Sequence, residues 1–478
     1  MQLRIKSLAG AVAACFLALP GGAAASEASE LRAEIEALKR ELRELRALVR
    51  DRAPDAARRE APATAPSAGP GGPSATVLGA TVTLYGTLNA DAGTVERTGA
   101  TAGTAALNSL VGAPGATPAN SGSRSILRSN SSNFGIRGTR KLTADLSAVF
   151  QLESAIGADG ASSTLSGRDT FLGLSGRFGT LLYGGNLDSP YKRGVQGRDP
   201  FFATGIATQK GILGSPGFNV TSVNAVAGST VGGNAAGAQQ QNAGFDARLN
   251  NAVVYRSPKL AGFSGEIAWG MNEQKSASGI TPSVLSALAT YERGPWFASY
   301  AYEERKDVFG LNSLLALVPG TGSTGALFSP PAGASSKDTA NKVGLGYRLL
   351  ASTDLLVVWE NLKYTTSTGA VREFERDAWV ASVKHRMGRH HAVLSYGKAD
   401  AGSCSLAAGA SCSTTGLGAE QWAAGYVFDL DANTWLYAFW SQIRNDEAAA
   451  YNFGVSGAPA AGVGADPKGI ALGIRYRF

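Results

Sequence analysis

The sequence predicts an all-β fold: a sixteen-stranded antiparallel transmembrane β-barrel, preceded by a short helical coiled coil. Three observations predict it. From residue 77 onward, apolar residues recur at every second position, the period of a strand with one apolar face. The connections between these strands alternate between short and long. Beyond the N-terminal segment there is no run of about 20 apolar residues, so helical spanning of a membrane is excluded. Composition agrees: the 478-residue chain is 44% hydrophobic and 17% charged, which excludes general disorder, and its 61 glycines suit a chain with many turns.

The elements follow in order. Residues 1–25 read as an export signal, with Arg4 and Lys6 as the basic start, an apolar run from Leu8 to Leu19, and Ala23, Ala24 and Ala25 as a small-residue cleavage site. A lipoprotein-type cleavage before Cys15 fits only loosely, because Phe16, Leu17 and Leu19 continue the apolar run beyond it. In residues 26–52, Ala28, Ile35, Leu42 and Val49 take the a positions of a heptad, and Leu31, Leu38 and Leu45 the d positions. Glu34 and Glu41 fall at g, where a parallel neighbour would offer Lys39 and Arg46 at e. About three heptads make a marginal coil alone, so it is expected to form where another domain already clusters the chains. The bland alternative is a single amphipathic helix lying on another surface. Residues 53–76, rich in Pro, Ala and Gly, read as a semi-extended linker.

The barrel is expected over 77–478. Candidate strands lie near 81–92, 132–141, 145–155, 168–175, 179–185, 248–257, 263–271, 284–292, 296–304, 340–348, 354–364, 376–385, 389–399, 418–429, 433–444 and 468–478. The first connection, about 93–131, is long, and the next, near Thr143, is tight; the same alternation continues to the end. A soluble sandwich has no reason to gather its short connections at one end, whereas a membrane barrel has tight periplasmic turns and long external loops. An even strand number puts both termini on the turn side.

The two faces differ as lipid and water require. Trp296, Ala298, Tyr300 and Tyr302 share one face, as do Leu355, Val357 and Trp359, and Trp422, Ala424, Tyr426 and Phe428. The alternate register carries Arg137, Glu153, Arg168, Glu266, Glu360 and Lys384. Facing lipid at mid-depth, an Arg or Lys costs about 2–4 kcal/mol, so these residues belong in a wet lumen. The chain closes on GIALGIRYRF, with Ile470, Leu472, Ile474, Tyr476 and Phe478 alternating with small or charged residues. Cys404 and Cys412 remain after the signal is removed; an exported chain meets an oxidising compartment, so a local disulfide is expected.

Four stretches carry a family resemblance: TLYGTLNADAG, SSNFGIRGTRKLTADLSAVFQLES, RDTFLGLSGRFGTLLYGGNLDSPYK with RDPF downstream, and the closing GIRYRF. With these the chain resembles the general porins of Gram-negative outer membranes, especially the β-proteobacterial type. The resemblance implies a homotrimer in outer-membrane lipid, a passive channel for small hydrophilic solutes, and Phe478 as the terminal signal read by the barrel insertion machinery. It also implies a third external loop, about 186–247, folded into the lumen as a constriction, where loop acids face a basic wall. Asp188 and Asp199 are the loop candidates, and Arg137 and Arg168 the wall candidates, with Glu153 beside them. Asn133 departs from the pattern, since many relatives place an arginine just before this Phe-Gly pair. The field there should be weaker unless Arg124 or Arg128 substitutes. For each Asp and Arg the alternative is a salt bridge that merely anchors the loop.

The net charge of +7 falls to +5 without Arg4 and Lys6, a mild excess that suggests slight anion preference and does not point to nucleic acid. No phosphate-cradling Gly-rich loop with Lys-Ser/Thr and no Gly-X-Ser-X-Gly elbow occurs, so neither catalysis nor a cofactor is expected. His385, His390 and His391 flank one tight turn, and adjacent strand residues point to opposite faces, so no metal site is expected. Two other functions stay open: a sugar- or phosphate-selective channel, and a tether in which residues 26–75 reach toward peptidoglycan.

Overall fold

The structure, a computed structural model, describes residues 72–101, 120–157, 165–218, 231–232, 244–271, 281–311, 332–369, 371–407, 412–453 and 462–478. The signal, the coiled coil and most of the linker lie outside the described residues.

Sixteen antiparallel strands form the barrel wall. They are β1 (Ala80–Thr98), β2 in two segments (Ser121–Ser129 and Asn133–Lys141), β3 (Leu146–Ala155), β4 (Thr170–Gly176), β5 (Gly179–Gly185), β6 (Ala252–Arg256), β7 (Phe263–Met271) and β8 (Ser283–Arg293). Then come β9 (Trp296–Lys306), β10 (Ser336–Leu349), β11 (Thr353–Thr366), β12 (Val371–Met387), β13 (His390–Ala399, prolonged by Ser403–Leu406), β14 (Ala419–Asp429), β15 (Thr434–Asn445) and β16 (Asp466–Arg477). Each strand pairs with the next, and β16 pairs with β1 from Thr87↔Arg477 to Thr98↔Asp466. Closure is obligatory in lipid, where an unpaired backbone edge costs several kcal/mol per group.

The seam is finished by the terminus itself. Phe478 N–H donates to Gly86 O (3.1 Å) and Gly86 N–H to Phe478 O (3.0 Å). Gly86 is required there, because a Cβ would stand 2.5 Å from the Phe478 ring. Just beyond, Ser74–Val77 takes over the pairing with β1, from Ser74↔Thr83 to Val77↔Ala80.

All seven tight turns fall between the even strand and the odd strand that follows it, so they share one end of the barrel. The expected wall is therefore found, with three adjustments. The connection read as 93–131 spans only 99–120, because β1 and β2 run on above the lipid zone, where Thr94, Glu96 and Thr98 need no apolar alternation to hold a backbone ladder. Ser74, Ala75 and Thr76, read as linker, are strand at the opposite end, where β16 has ended and the start of β1 would otherwise lack a partner on that edge. The strand read as 248–257 begins only at Ala252, since Arg248 and Leu249 pair with Asp188 and Leu187 inside the loop that precedes it.

Outward side chains are exposed apolar and aromatic residues, including Leu172, Tyr183, Trp269, Trp296, Leu345, Val357, Trp359, Trp422, Leu472 and Ile474. Rings meet across strands, Trp296 with Tyr347 at 4.5 Å and Tyr396 with Trp422 at 4.4 Å, as expected of interfacial girdles. The wall height is uneven: β4 and β5 have 7 residues each, while β12 has 17. A disulfide joins Cys404, in the prolongation of β13, to Cys412 in the connection after it, with Cα atoms 5.6 Å apart.

Candidate pore constriction

The described part of the connection 186–251, slightly longer than the 186–247 read from sequence, crosses the lumen. Its neck is tied where Leu187–Asp188 pairs with Arg248–Leu249. Asp188 N–H donates to Asp169 Oδ1 (2.9 Å), and Arg248 bridges Asp188 (3.0 Å) and Asp169. Ser189 then caps the helix α1 (Pro190–Gln196), its Oγ accepting Lys192 N–H at 3.2 Å, with Pro190 in the first turn, where its missing N–H costs nothing.

Beyond α1 the chain turns around Asp199. Its carboxylate accepts from Phe201 N–H (2.9 Å), Thr208 Oγ1 (2.8 Å) and Gln209 N–H (3.1 Å). Phe201 packs edge-on against Phe439 of β15, and Phe202 against Tyr437. Thr204 Oγ1 lies 3.0 Å from Ser131 Oγ at the break in β2, and Thr208 O accepts from Gln421 of β14. The loop thus reaches from β5 to the far wall.

A buried charge cluster holds its middle. Glu360 of β11 accepts from Tyr191 Oη (2.7 Å) and Gly214 N–H (2.7 Å) of the loop and pairs with Lys342 of β10 (3.3 Å) and Arg376 of β12 (3.0 Å). Arg376 also donates to the carbonyl oxygens of Ile212 and Ser215, and Lys342 reaches Asp246 at 2.9 Å. Each formal charge has a partner of opposite sign, the condition under which buried ions are tolerated.

Between this loop and the wall lies a lumen cavity of about 270 Å³ lined by Tyr85, Asn133, Arg137, Glu153, Arg168, Asp169, Asp188, Arg248, Arg475 and Arg477, among others. Five of the six residues singled out from sequence meet here. The sixth, Asp199, is spent on the loop's own donors, and burial raises its pKa. Arg128, read as a possible substitute wall charge, is buried against Asp91 at 2.8 Å. Among the described residues, the Asn133 side chain donates to Ser131 O alone (3.3 Å).

The pairing pattern is one-sided. Glu153 is taken by Arg168 and by Tyr85 Oη (2.9 Å). Asp169 is taken by Arg248, and Asp188 by Lys192 and Arg248. Burial pushes the Asp188 carboxyl up, but Arg248, Lys192 and Arg168 together hold it well below the usual carboxylate range. Arg137, Arg475 and Arg477 have no carboxylate within ion-pair distance among the described residues. Arg137 lies over the Tyr85 ring (4.9 Å) and Arg475 over Phe202 (4.6 Å). The latter two arginines were visible in the closing strand as its wet face; only the infolded loop puts them beside the narrowing.

An outward-greased, inward-wet closed barrel narrowed by its own loop defines a channel of the outer-membrane kind. The chain belongs to the Gram-negative porin family, whose family model matches residues 61–448. Among its relatives, it is 24% identical over 357 residues to outer membrane porin protein 32 of Delftia acidovorans, covering 73% of this chain and 85% of that one. It is 27% identical over 170 residues to major outer membrane protein P.IB of Neisseria gonorrhoeae, covering 36% of this chain and 40% of that one. An anion-selective porin from Comamonas acidovorans superposes with a TM-score of 0.60 at 21% identity, over 84% of this chain and all of the other (100%). OmpT of Vibrio cholerae gives 0.54 at 12% identity, over 85% of this chain and 100% of its own. At these identities the structural likeness speaks for the fold. The protein is an outer-membrane porin of a Gram-negative bacterium, a passive diffusion channel.

Proposed function

We propose that this porin is a homotrimer passing small hydrophilic solutes and ions with a weak preference for anions, without catalysis. One observation carries the preference: the carboxylates at the constriction are matched by cations, while Arg137, Arg475 and Arg477 face the same cavity unmatched. Fixed unpaired charge on a narrow wall raises the local concentration of counter-ions and so biases which ion crosses. The relative named as anion-selective supports the same reading. Reversal potential across a planar bilayer under a potassium chloride gradient tests it; a strong cation preference would overturn it.

The trimer has its own support. The low wall of β4 and β5 exposes Leu172, Leu174, Leu181 and Tyr183 outward, a face that a neighbouring barrel would cover. Three clustered barrels would bring three N-termini together on the periplasmic side and so favour the coil at 26–52. Phe478 is assigned as the mark read by the insertion machinery. A peptidoglycan contact by residues 26–75 would show as retention of that segment on purified cell wall.

A further inference from the structure

The tight turn between β12 and β13 gathers all three histidines of the chain, and none of them lines the constriction. His391 points inward and is buried, with Nε2 2.9 Å from Asp429 Oδ2. His385 and His390 point outward. His385 is bonded to Thr353 Oγ1 (2.8 Å), and His390 through Nδ1 to Tyr426 Oη. The His390 ring also lies 5.0 Å from that of Phe428, its partner across β13 and β14.

Arg389 completes this outward cluster. Its Nε donates to Asp429 O (2.6 Å), one terminal nitrogen donates to Leu430 O, and the guanidinium lies over the Phe428 ring at 5.0 Å. These contacts fix the group without neutralising it, because both acceptors are carbonyl oxygens and three of its five N–H donors remain. Among the described residues no carboxylate lies within ion-pair distance of Arg389. Asp431 sits at the exposed tip of the next turn. Asn433 N–H and Thr434 Oγ1 hold its carboxyl below the usual carboxylate range, and the Arg389 charge lowers it further. Met387, Leu394, Leu430 and Leu436 are exposed around the cluster, where the wall meets lipid. Between them Ala392 and Ala424 have short side chains, which leave a shallow furrow running up the outer wall. From the tip upward the order is acid, unmatched cation, apolar furrow.

We propose that this turn binds one glycerophospholipid of the periplasmic leaflet with a phosphoethanolamine headgroup, its phosphate on Arg389 and His390, its ammonium toward Asp431 and an acyl chain along Leu394 and Ala424. Charge and polarity run in the same sequence on the lipid and on the wall, and the aromatic rings under Arg389 and His390 hold the two side chains in place before the lipid arrives. A free inorganic phosphate would leave the furrow empty, and an anionic headgroup without an amine would leave Asp431 unmatched. The site lies outside the channel and is independent of its ion preference.

Mass spectrometry of the intact full-length porin, released from detergent micelles with added lipid, tests the proposal. Dioleoyl-phosphatidylethanolamine is expected to be retained saturably, one molecule per chain, about twofold to fivefold more tightly than dioleoyl-phosphatidylglycerol. Dioleoylglycerol, which has no phosphate, should not be retained at the same concentration. Arg389→Gln should weaken retention about tenfold. His390→Phe keeps a ring against Phe428 and should weaken it about threefold. Asp431→Asn should abolish the advantage of the ethanolamine lipid over the glycerol lipid while leaving the latter unchanged. Lys398→Gln, which removes an outward lysine at the other end of β13, should change nothing. Heat-modifiable migration in gels shows that each variant is a folded barrel. Absence of saturable retention, equal retention of dioleoylglycerol, or retention unaltered in both Arg389→Gln and His390→Phe would each overturn the site. Equal affinity for the two phospholipids in the wild type would overturn the assignment of the ammonium to Asp431.

Discussion

Glu360→Gln is expected to release the infolded loop from the wall while the barrel stays closed. Glu360 is fully buried and serves four partners at once: Tyr191 Oη and Gly214 N–H from the loop, Lys342 and Arg376 from the flanking strands. The amide keeps one acceptor oxygen but presents an N–H group where the second oxygen stood. Lys342 still has Asp246 at 2.9 Å, so the loss falls chiefly on Arg376, whose remaining partners are the carbonyls of Ile212 and Ser215. Stranding one member of a buried ion cluster costs about 3–5 kcal/mol. Because the ladder between β10, β11 and β12 is independent of this side chain, the cost is expressed as loop detachment. At 1.4 kcal/mol per tenfold, the docked-to-undocked ratio falls by roughly 10²–10⁴. Single-channel recording should show larger and noisier openings, and limited proteolysis should cut within 186–251 while the barrel keeps its heat-modifiable migration in gels. Glu304→Gln is the control: that carboxylate, half-buried on the outer face, pairs with the exposed Lys337 and accepts from Tyr302 Oη, and it makes no contact with the loop among the described residues. Wild-type conductance and protease resistance in Glu360→Gln would refute the anchoring argument.

Other outcomes follow from the same geometry. Replacing Arg137, Arg475 and Arg477 together with Gln should move the chloride-gradient reversal potential toward zero or past it; an unchanged potential would remove the basis of the anion preference. Glu153→Gln should act oppositely, since it frees Arg168, and an increased anion preference in the same assay is the expected result. Gly93→Val should lower the yield of folded barrel on refolding into detergent, because a Cβ at that position would lie 1.9 Å from Ile470 O across the closing seam. Removing Phe478 should also lower that yield, through loss of the two backbone bonds to Gly86, and yield equal to wild type would count against the seam as described.

The strands were legible because lipid imposes a rule on every one of them: alternate residues must be apolar. Trp296, Tyr300, Val357 and Trp422 obey it, and their positions located β9, β11 and β14. Where the wall rises beyond the lipid the rule lapses, and there reading failed, at Thr94–Thr98 and Ser121–Ser129. Arg137, Glu153, Arg168 and Asp188 were legible as wet-face or loop residues. That Asp199 and Arg128 would be consumed by their own neighbours was not, because a partner's identity depends on approach between distant segments.

By itself, then, the sequence determined the strand order, which side of each strand meets lipid, and where the chain must seal, since periodicity and turn chemistry are local properties. Only the tertiary structure decided which charges cancel. An ion pair forms between segments as far apart as Asp246 and Lys342 or Tyr191 and Glu360, and the path of the infolded loop selects those contacts. Among the described residues, the unmatched arginines at the constriction are what that selection leaves over.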